Sequence, residues 1–360
     1  MERQNYPALR QRPDLIYLDA SNGFPLHDHV TQRVTTLAGQ YVGMPGKGAY
    51  SDTMAINALV EETRQKVAGL IGADASEITF VSSATEAARL VAEQWCINSP
   101  DAIVAYSMED HTATVNALAS VPHERTRLLS YNEAGEYYGE TRDATVFFLN
   151  HLHHMYGTDI ATNKFRETDP QAKLVIDASQ SVSRMVVDVQ RLSADALYFS
   201  GHKLGALPGV GVLYVAKKHC GEFGIQDNCG ASLSWLGVAS IGAAIDVLLQ
   251  KSMSERSMYM TGLTNYLVEQ LEEIPDVAFS KGAVGALDVC DGNGIVSFKL
   301  RGFTAADIMM LLDEHSIAVR GGDHCVSPGH ADRDYVRVSM QGYTTHDDID
   351  RLIEVLKGIK

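Results

Sequence analysis

The chain has 360 residues, of which 45% are hydrophobic and 21% are charged, as is ordinary for a soluble globular protein. This length and composition exclude a disordered chain, a coiled coil and a collagen-like repeat, and they favour two domains or one large domain with an appendage. The formal net charge is -15, so the chain has no basic excess with which to neutralise phosphates. We therefore expect no nucleic-acid partner.

The cysteines and the apolar runs bear on the cellular compartment. Five cysteines are a sparse and odd number, and no two are spaced as a C-x-x-C pair. This argues against a disulfide framework or a structural zinc site and favours a reducing compartment. The N-terminal segment lacks the apolar stretch of a secretory signal, and no run approaches the ~18 apolar residues of a membrane span. We expect a cytoplasmic protein without a membrane partner.

Strand-like and helix-like segments alternate through the first two thirds of the chain. Helices are predicted at about 55–71 and 85–95, with Gly72 as the stop of the first. Short apolar strands are predicted at 15–18, 78–81, 102–106, 144–149, 174–176, 196–199 and 210–215. Such strands separated by helices indicate an α/β fold, in which a mostly parallel central sheet is covered by helices on both faces.

From Trp235 the pattern changes. Residues 241–271 are predicted to form one or two long helices. After them, strands at 294–300, 317–319 and 335–340 alternate with helices at 305–314 and 347–359. This order is typical of a smaller C-terminal α+β domain. We place a large domain at residues 15–235 and a small domain at 236–360, with residues 1–14 packing on the small domain.

In two motifs an apolar run is followed directly by polar residues. These motifs are V-I-D-A-S-Q (175–180) and F-S-G-H-K-L (199–204). Those polar residues are Asp177, Gln180, Ser200, His202 and Lys203. Functional groups of open parallel sheets gather beyond the carboxyl ends of the strands. Taken singly, Lys203 is as readily a surface lysine and Asp177 a helix cap. Together the residues are typical of a pyridoxal-phosphate site, where a Lys amine forms the Schiff base, a carboxylate keeps the pyridine nitrogen protonated, and Ser and His hold the phosphate.

These motifs, with G-V-G-V-L-Y-V (209–215) after them, resemble the fold-type I pyridoxal-phosphate (PLP) enzymes of the class V aminotransferase family. The resemblance is greatest to its cysteine desulfurase and selenocysteine lyase branch. It extends from Y-L-D-A-S (17–21) to the strand and helix of residues 336–352. It implies PLP as the cofactor, an amino acid as the small-molecule substrate, and a homodimer with active sites at its interface.

The segment F-V-S-S-A-T-E-A (80–87) resembles the family's phosphate-binding turn. Here a strand breaks into a helix N-terminus, whose free N–H groups and dipole attract an anion. The resemblance assigns the backbone N–H of Ala84 and the N–H and hydroxyl of Thr85 to the phosphate. The alternative is that Ser83 or Ala84 only caps the helix, which Glu86 in its first turn also suits.

Histidines carry two further assignments. By resemblance, His111 in D-H-T-A-T-V (110–115) stacks on the cofactor ring, and the neighbouring register, with Asp110 there, stays open. His154 falls where family members place an Asn near the phenolic oxygen of the cofactor. The run His151, His153 and His154 lacks a carboxylate or Cys at a spacing diagnostic of metal ligands, so we expect no metal site.

Residues near both ends of the chain are assigned to the substrate. Arg337 resembles the residue that binds the α-carboxylate, for which a guanidinium fork is well suited. On its own it could equally be a surface arginine paired with a residue such as Asp334. Asn22, in A-S-N-G-F (20–24), is also assigned to substrate binding.

The segment V-R-G-G-D-H-C-V-S-P (319–328) resembles the loop R-x-G-H-H-C-A-x-P of one group of cysteine desulfurases. Cys325 lies at the nucleophile position. Arg320 and His324 beside it would favour the thiolate. Against this, free cysteines are usually buried and inert, and the same loop occurs in relatives that are not desulfurases.

Several residues depart from the family pattern. A-S-N-G-F (20–24) replaces N-A-A-T, and His154 replaces the Asn near the ring oxygen. Ala84 replaces the first of two threonines. Gly230-Ala231 replaces a G-T pair that touches the phosphate from the partner subunit, and Asp323 replaces a His. Since exchanging Asn for His alters both shape and proton inventory, the reaction outcome could differ from that of the family.

Three functions follow from these observations. The first is a cysteine desulfurase that converts L-cysteine to L-alanine through a Lys203 Schiff base, leaves a persulfide on Cys325 and passes the sulfur to an acceptor protein. The second is a β-eliminating C–S lyase, an aminotransferase or an epimerase of a specialised biosynthetic pathway. The third is a cofactor-free scaffold or regulatory protein. The joint presence of Lys203, Asp177, Gln180 and His202 argues against the third.

Overall fold

The computed structural model describes residues 3–46, 48–139, 141, 143–168, 170–223, 234–282, 293–327 and 333–359. The helices are α1 (Pro7–Arg10), α2 (Asp28–Gln40), α3 (Ser51–Ile71), α4 (Ala84–Ala92), α5 (Thr112–Leu118), α6 (Asn163–Thr168), α7 (Cys220–Phe223), α8 (Trp235–Leu248), α9 (Met253–Glu272), α10 (Ala305–Glu314) and α11 (His346–Lys357). The first half of the strands comprises β1 (Ile16–Tyr17), β2 (Ile78–Val81), β3 (Val104–Ser107), β4 (Thr126–Tyr131), β5 (Tyr137–Tyr138), β6 (Val146–Asn150) and β7 (Lys173–Asp177). The others are β8 (Ala196–Ser200), β9 (Gly211–Val215), β10 (Val277–Phe279), β11 (Ile295–Leu300), β12 (Ile317–Ala318), β13 (Arg320–Gly322) and β14 (Tyr335–Ser339).

The large domain is built on an eight-stranded sheet in the order β2-β9-β8-β7-β6-β3-β4-β5. The five strands from β8 to β4 run parallel to one another, while β9, β2 and β5 pair antiparallel. Every residue of β6, β8 and β9 is buried, as expected for strands covered on both faces. The predicted fold class is therefore confirmed.

Alternate residues of the central strands enter two different apolar cores. Phe147 and Leu149 of β6 pack in the core that also contains α2, α3 and α8. Val146 and Phe148 of the same strand pack in the core under α4 and α5. Because successive side chains point to opposite faces and both faces are buried, nearly every position of these strands is apolar, and they appear as continuous apolar runs in the sequence.

The small domain is built on a four-stranded antiparallel sheet in the order β10-β11-β14-β13. Its apolar core contains residues from Met260 of α9 onward. Leu18, which directly follows β1, also packs in this core, because β1 pairs with β12 near the other end of the chain. Helix α8, which follows the predicted boundary at residue 236, packs in the large core instead. Its residues are apolar on every side, so the sequence pattern does not reveal which domain buries the helix.

The N-terminal residues, predicted to pack on the small domain, contact residues of both domains. Arg3 Nη1 lies 3.4 Å from Asp348 Oδ1 in α11. Tyr6 packs against Phe24 and Tyr343, with ring centroids 6.0 and 5.3 Å away.

No single helix in the described part of the chain combines the length and apolar composition that a membrane span requires. Helices α8 and α9 meet that test only when taken together, and they are bent by 75° at the break between them.

Candidate active site

A cavity of about 180 Å³ lies beyond the carboxyl ends of β7 and β8 and is also lined by residues of the small domain. It brings together every residue that the sequence assigned to the site: Asn22, Ala84, Thr85, His111, His154, Asp177, Gln180, Ser200, His202, Lys203, Cys325 and Arg337. A larger groove of about 550 Å³ between α10 and α11 contains none of them. The chemistry-bearing residues thus converge on the smaller of the two cavities.

Lys203 and Asp177 face each other across neighbouring strand ends. Asp177 is the last residue of β7, and Lys203 ends the short 3-10 turn that follows β8. Gly201 makes that turn feasible, because a Cβ there would lie 2.9 Å from the carbonyl oxygen of Val210. Burial lowers the pKa of Lys203 to about 8 against the opposing effect of Asp177, and burial raises the pKa of Asp177. The site therefore holds a lysine amine that loses its proton far more readily than an exposed one.

The predicted phosphate turn connects β2 to α4. Ser83 caps α4, because its Oγ accepts from Glu86 N at 3.1 Å. The first N–H groups of the helix, from Ala84 on, have no intrahelical acceptor and carry the positive end of the helix dipole. Gly211 of β9 lies directly against this turn, since a Cβ there would lie 2.8 Å from the carbonyl carbon of Ser83. Capping and anion binding are compatible here. Ser83 accepts from the N–H of Glu86, and the N–H groups of Ala84 and Thr85, which precede it in the helix, remain available to an anion.

Residues 110 and 111, between which the sequence left the register open, have different surroundings. His111 lines the cavity, and its Nδ1 caps α5 by accepting from Ala113 N at 3.1 Å. Burial lowers the pKa of His111 to about 3, so its ring is neutral. Asp110 is not part of the cavity wall. Its Oδ1 accepts from the hydroxyls of Tyr131 and Tyr137, each at 2.8 Å, in a buried polar cluster.

The three clustered histidines have different surroundings. His151 Nδ1 lies 2.9 Å from Ser181 Oγ. His153 Nε2 lies 3.2 Å from the carbonyl oxygen of Glu109, and its Nδ1 accepts from two backbone N–H groups. His154 lines the cavity, and neither of its ring nitrogens has a hydrogen-bond partner. No group of three or more His, Cys, Asp or Glu side chains is arranged to hold a metal within the described ranges.

Arg337 is buried in β14, and its hydrogen-bond partners do not include Asp334, the partner considered from the sequence. Its Nη2 donates to Asp19 Oδ1 at 3.1 Å and its Nη1 to the carbonyl oxygen of His154 at 2.9 Å. Asp334 instead accepts from the backbone N–H of Ala305 at 3.1 Å. The alternative of a surface arginine paired with Asp334 is therefore wrong. The Nε of Arg337 is buried without a partner and leaves one edge of the guanidinium unsatisfied.

Cys325 lies on a loop with an uncommon backbone. His324 and Cys325 have φ angles of 48° and 65°, in the left-handed region. Asp323 holds this bend, because its Oδ1 accepts from Cys325 N at 3.1 Å. Thr112 N donates to the carbonyl oxygen of Cys325 at 2.9 Å, which joins the loop to the His111 segment.

The thiol of Cys325 is half-buried and faces the cavity beside a cation. Arg320 Nη2 donates to Cys325 Sγ at 3.2 Å, and Arg320 Nη1 lies 3.4 Å from Asn22 Oδ1. Cys96 shows the contrast, since it is fully buried and burial raises its pKa to about 12. Of the two thiols, only that of Cys325 has the surroundings of a reactive cysteine.

The comparison with known proteins identifies the family. Residues 16–352 match the model of the aminotransferase class-V family. The chain belongs to this family. Its members are PLP-dependent enzymes.

Named relatives and solved structures resemble the chain along nearly its whole length. A cysteine desulfurase of Salmonella choleraesuis (strain SC-B67) is 27% identical over 400 residues, covering 99% of this chain and 97% of that protein. The apo structure of a cysteine desulfurase from Thermococcus onnurineus NA1 has a TM-score of 0.87 at 20% identity, covering 99% and 96% of the two chains. The cysteine desulfurase CsdA of Escherichia coli has a TM-score of 0.81 at 21% identity, with the same coverage.

The residues of this class-V chain fit the family's cofactor. Several buried polar atoms on the cavity wall have no partner, namely Ser179 Oγ, both ring nitrogens of His154, His324 Nδ1 and Arg337 Nε. Because buried polar groups are nearly always hydrogen-bonded, such a wall is built to receive a polar ligand. An amine, a carboxylate and a helix N-terminus are the partners that an aldehyde, a protonated pyridine nitrogen and a phosphate require, respectively.

Sequence analysis left some wall residues unassigned: Ser21, Ser83, Ala113, Ser179, Arg320 and His324. Ser179 lies within V-I-D-A-S-Q (175–180), between two assigned residues, so the motif itself carried a signal for it. Arg320 was considered only as a neighbouring charge for Cys325. Ser21 directly precedes the assigned Asn22 in A-S-N-G-F (20–24), so that motif carried a similar signal, and the carbonyl oxygen of Ser21 accepts from Gln180 Nε2 at 3.0 Å. The Gly230-Ala231 pair lies outside the described residues.

Proposed function

We propose that this chain is a PLP-dependent cysteine desulfurase that converts L-cysteine to L-alanine and retains the sulfur as a persulfide on Cys325. The observation that carries the proposal is the position of the Cys325 thiol. It lies on the wall of the same cavity as Lys203 and Arg337, with Arg320 donating to its sulfur at 3.2 Å. The names of the relatives support the same activity.

The cofactor would be held by the strand-end half of the cavity. Lys203 is the amine for its aldehyde, Asp177 the partner of its pyridine nitrogen, and the N-terminus of α4 at Ala84 and Thr85 the phosphate site. Ser200, His202 and Gln180 line the same cavity, and His111 offers a neutral ring. When bound, PLP supplies an electron sink for the bonds at the substrate Cα.

Arg337 would bind the α-carboxylate of the amino acid. Asp19 and the carbonyl oxygen of His154 fix two of its terminal N–H groups, and the Nε is left without a partner. A carboxylate can therefore bind along the free edge of the guanidinium while the other contacts stay in place. Asn22 lines the same cavity, where its Oδ1 lies 3.4 Å from Arg320 Nη1.

Lys203 and Cys325 would carry the two steps on the substrate. Lys203 Nζ moves the proton at the substrate Cα, for which its lowered pKa of about 8 is suited. The Cys325 thiolate attacks the substrate sulfur, so that an S–S bond forms as the Cβ–S bond breaks. The electron pair of the broken bond stays on Cβ, which takes up a proton. Enzyme thiol and L-cysteine thus become enzyme persulfide and L-alanine without an outside oxidant.

The site also supports a second candidate, a PLP-dependent C–S lyase acting by β-elimination, an aminotransferase or an epimerase. The observation in its favour is His154, which lines the cavity with a ring of different shape and proton inventory from the Asn of the family pattern. These reactions need the strand-end half of the cavity, and they do not need the thiol of Cys325.

Partners follow from the proposed chemistry. A persulfide must be transferred before the next turnover, so we infer a sulfur-acceptor protein or thiol. The family resemblance favours a homodimer with active sites at the interface, and the cysteine usage favours the cytoplasm. Sedimentation of the purified protein tests the dimer, since a monomer at micromolar concentration would contradict it.

A product assay separates the candidates. The PLP-loaded protein is incubated with L-cysteine, and alanine, pyruvate, ammonia and sulfide are measured in the same tube. The proposal predicts alanine with sulfide released by added thiol. Pyruvate with ammonia indicates β-elimination, and amino transfer to a keto acid indicates an aminotransferase. Either of the last two results contradicts the desulfurase assignment.

A further inference from the structure

Glu109 is a buried carboxylate that the proposed chemistry does not use. It is 7% exposed and lies two residues before His111, on the segment that follows β3. Its Oε2 accepts from Lys281 Nζ at 3.0 Å and from the hydroxyl of Tyr156, and its Oε1 accepts from the backbone N–H of Tyr131 at 3.3 Å. Burial by itself would raise the pKa of Glu109, but the bonds from Tyr156 and Lys281 hold it below its ordinary value. The carboxylate is therefore charged near neutral pH, with Lys281 as its cation.

The ion pair of Glu109 and Lys281 joins the two domains. Lys281 follows β10 of the small domain, and its Nζ also donates to the carbonyl oxygen of Tyr131 in β4 of the large domain at 2.9 Å. The next residue, Gly282, donates its N–H to the carbonyl oxygen of Glu133 at 2.8 Å. This edge of the small domain is thus fixed to the large domain by charged and backbone hydrogen bonds together.

Glu109 also holds the histidine segment after β6. His153 Nε2 lies 3.2 Å from the carbonyl oxygen of Glu109. The ring of His153 stacks on those of Tyr156 and His154, with centroids 4.1 and 4.7 Å away. The side chain and the backbone of Glu109 therefore reach one segment, which contributes His154 to the cavity wall.

The loop of Cys325 is attached to the segment that begins at Glu109. Thr112 N donates to the carbonyl oxygen of Cys325 at 2.9 Å, and His111 forms an antiparallel β-bridge with Val326. The thiol is thus placed by the segment on which it rests, and Glu109 fixes that segment to the small domain. A displacement of Glu109 is expected to move the thiol as well.

We propose that Glu109 and Lys281 are positioning residues for sulfur transfer. Their ion pair fixes the small domain against the segment of His111 and thereby sets the place of the Cys325 thiol relative to Lys203. Neither member of the pair lines the cavity, so the pair acts through its neighbours. The inference rests on the proposed function in taking Cys325 as the reacting thiol.

The test removes the partners singly and together. K281M keeps a long side chain without its charge, E109Q keeps the shape of the carboxylate without its charge, and K281R keeps the cation. E109Q/K281M removes both charges. K357M is the matched control, since Lys357 pairs with Glu273 at 2.8 Å and neither residue lines the cavity. For each PLP-loaded protein we would measure the kcat of alanine formation, the Kd of PLP and the Tm. The alkylation rate of Cys325 by iodoacetamide without substrate is measured by mass spectrometry of its peptide.

The expected result in K281M and E109Q is a fall of about tenfold in kcat, because a small displacement of a reacting group is costly. Alkylation of Cys325 should become about fivefold faster, since its loop rests on a less firmly held segment. The Kd of PLP should stay within twofold, because the strand ends hold the cofactor. E109Q/K281M should be no slower than the slower single variant, as both changes remove one interaction. K281R should recover part of the kcat. A pair that only stabilises the fold would lower the Tm and leave both rates unchanged.

Unchanged rates contradict the proposal. If K281M folds and both its kcat and its alkylation rate stay within twofold of the parent, the pair does not position Cys325. A tenfold rise in the Kd of PLP, losses that multiply in E109Q/K281M, or no recovery in K281R contradicts it equally. If K281M does not fold, E109Q is judged by the same criteria. Absence of turnover with L-cysteine in the parent would contradict the proposed function alone, because the alkylation of Cys325 still tests the pair.

Discussion

The two halves of the cavity are built differently. Asp177 ends β7 and Lys203 closely follows β8, two strands in the middle of the large sheet whose residues are all or nearly all buried. Cys325 lies on a loop after the short strand β13, in a left-handed backbone conformation held by a side-chain bond from Asp323. Residues at strand ends are positioned by the packing of the sheet, whereas loop residues are positioned by a few local contacts.

The difference indicates a division of labour. The strand-end half supplies the groups that any PLP reaction on an amino acid needs. The loop half supplies the thiol and Arg320, which only sulfur transfer needs. Changes in the first half are therefore expected to remove every activity, and changes in the second half to alter the product while the cofactor stays bound.

The largest effect is expected from Lys203→Ala in the strand-end half. The amine bonds the cofactor and moves the proton at Cα, so turnover of every substrate should fall by at least about 10³-fold. The visible band of the PLP-loaded protein should be lost as well. Steady-state assays with L-cysteine and an absorbance spectrum check this. Residual turnover within tenfold of the parent would contradict the assignment of Lys203.

Cys325→Ala tests the loop half. Alanine and sulfide formation should fall by about a hundredfold, equal to about 2.7 kcal/mol, because no thiol remains to take the sulfur. The visible band and the Kd of PLP should not change. Cys220→Ala is the matched control, since Cys220 is also partly buried and is not part of the cavity wall. Equal alanine formation in parent and C325A would show that the thiol is not the nucleophile.

The pH dependence of cofactor loading probes the strand-end half without mutation. Burial lowers the pKa of Lys203 to about 8, and only the neutral amine reacts with an aldehyde. The loading rate of the apoprotein should rise about tenfold per pH unit below this value and level off above it. Stopped-flow absorbance from pH 6 to 10 measures the profile. A rate that still rises steeply at pH 10 would show an unshifted lysine.

Gly211→Ala alters the phosphate turn from the neighbouring strand. The added Cβ would lie 2.8 Å from the carbonyl carbon of Ser83 and 3.1 Å from Ala84 N, so the turn must move. We expect PLP to bind about tenfold more weakly, as a packing clash of 1–2 kcal/mol implies. Gly69→Ala is the control, since nothing lies within 4 Å of its Cβ position. Equal Kd values for both variants would argue against a phosphate site at this turn.

The smallest effect is expected from Asp323→Ala. The change removes the bond to Cys325 N and leaves two left-handed residues without their support. Desulfuration should fall by about threefold, close to one modest hydrogen bond, while the Kd of PLP stays constant. Asp323→Asn keeps an acceptor oxygen and should retain most of the activity. A weaker Kd in D323A would show that the two halves are not independent.

The sequence predicted those parts of the site that depend on local pattern. Asp177 and Lys203 could be placed because each ends an apolar run, and the position of such runs in a parallel sheet is general. The pairing of Arg337 with Asp19 could not be read, because these residues lie 318 positions apart and meet only when the segment after β1 pairs with the end of β14. The burial of α8 in the large core was missed for a related reason, since a helix that is apolar at nearly every position does not indicate which domain it packs against.

The most direct test of the account is the mass of Cys325 after one turnover. The PLP-loaded protein is mixed with L-cysteine in the absence of other thiols, and the peptide that contains Cys325 is examined by mass spectrometry while alanine is measured. The account predicts one added sulfur atom on Cys325, matched by one alanine per active site. An unmodified Cys325, with pyruvate or a transaminated product in place of alanine, would contradict it.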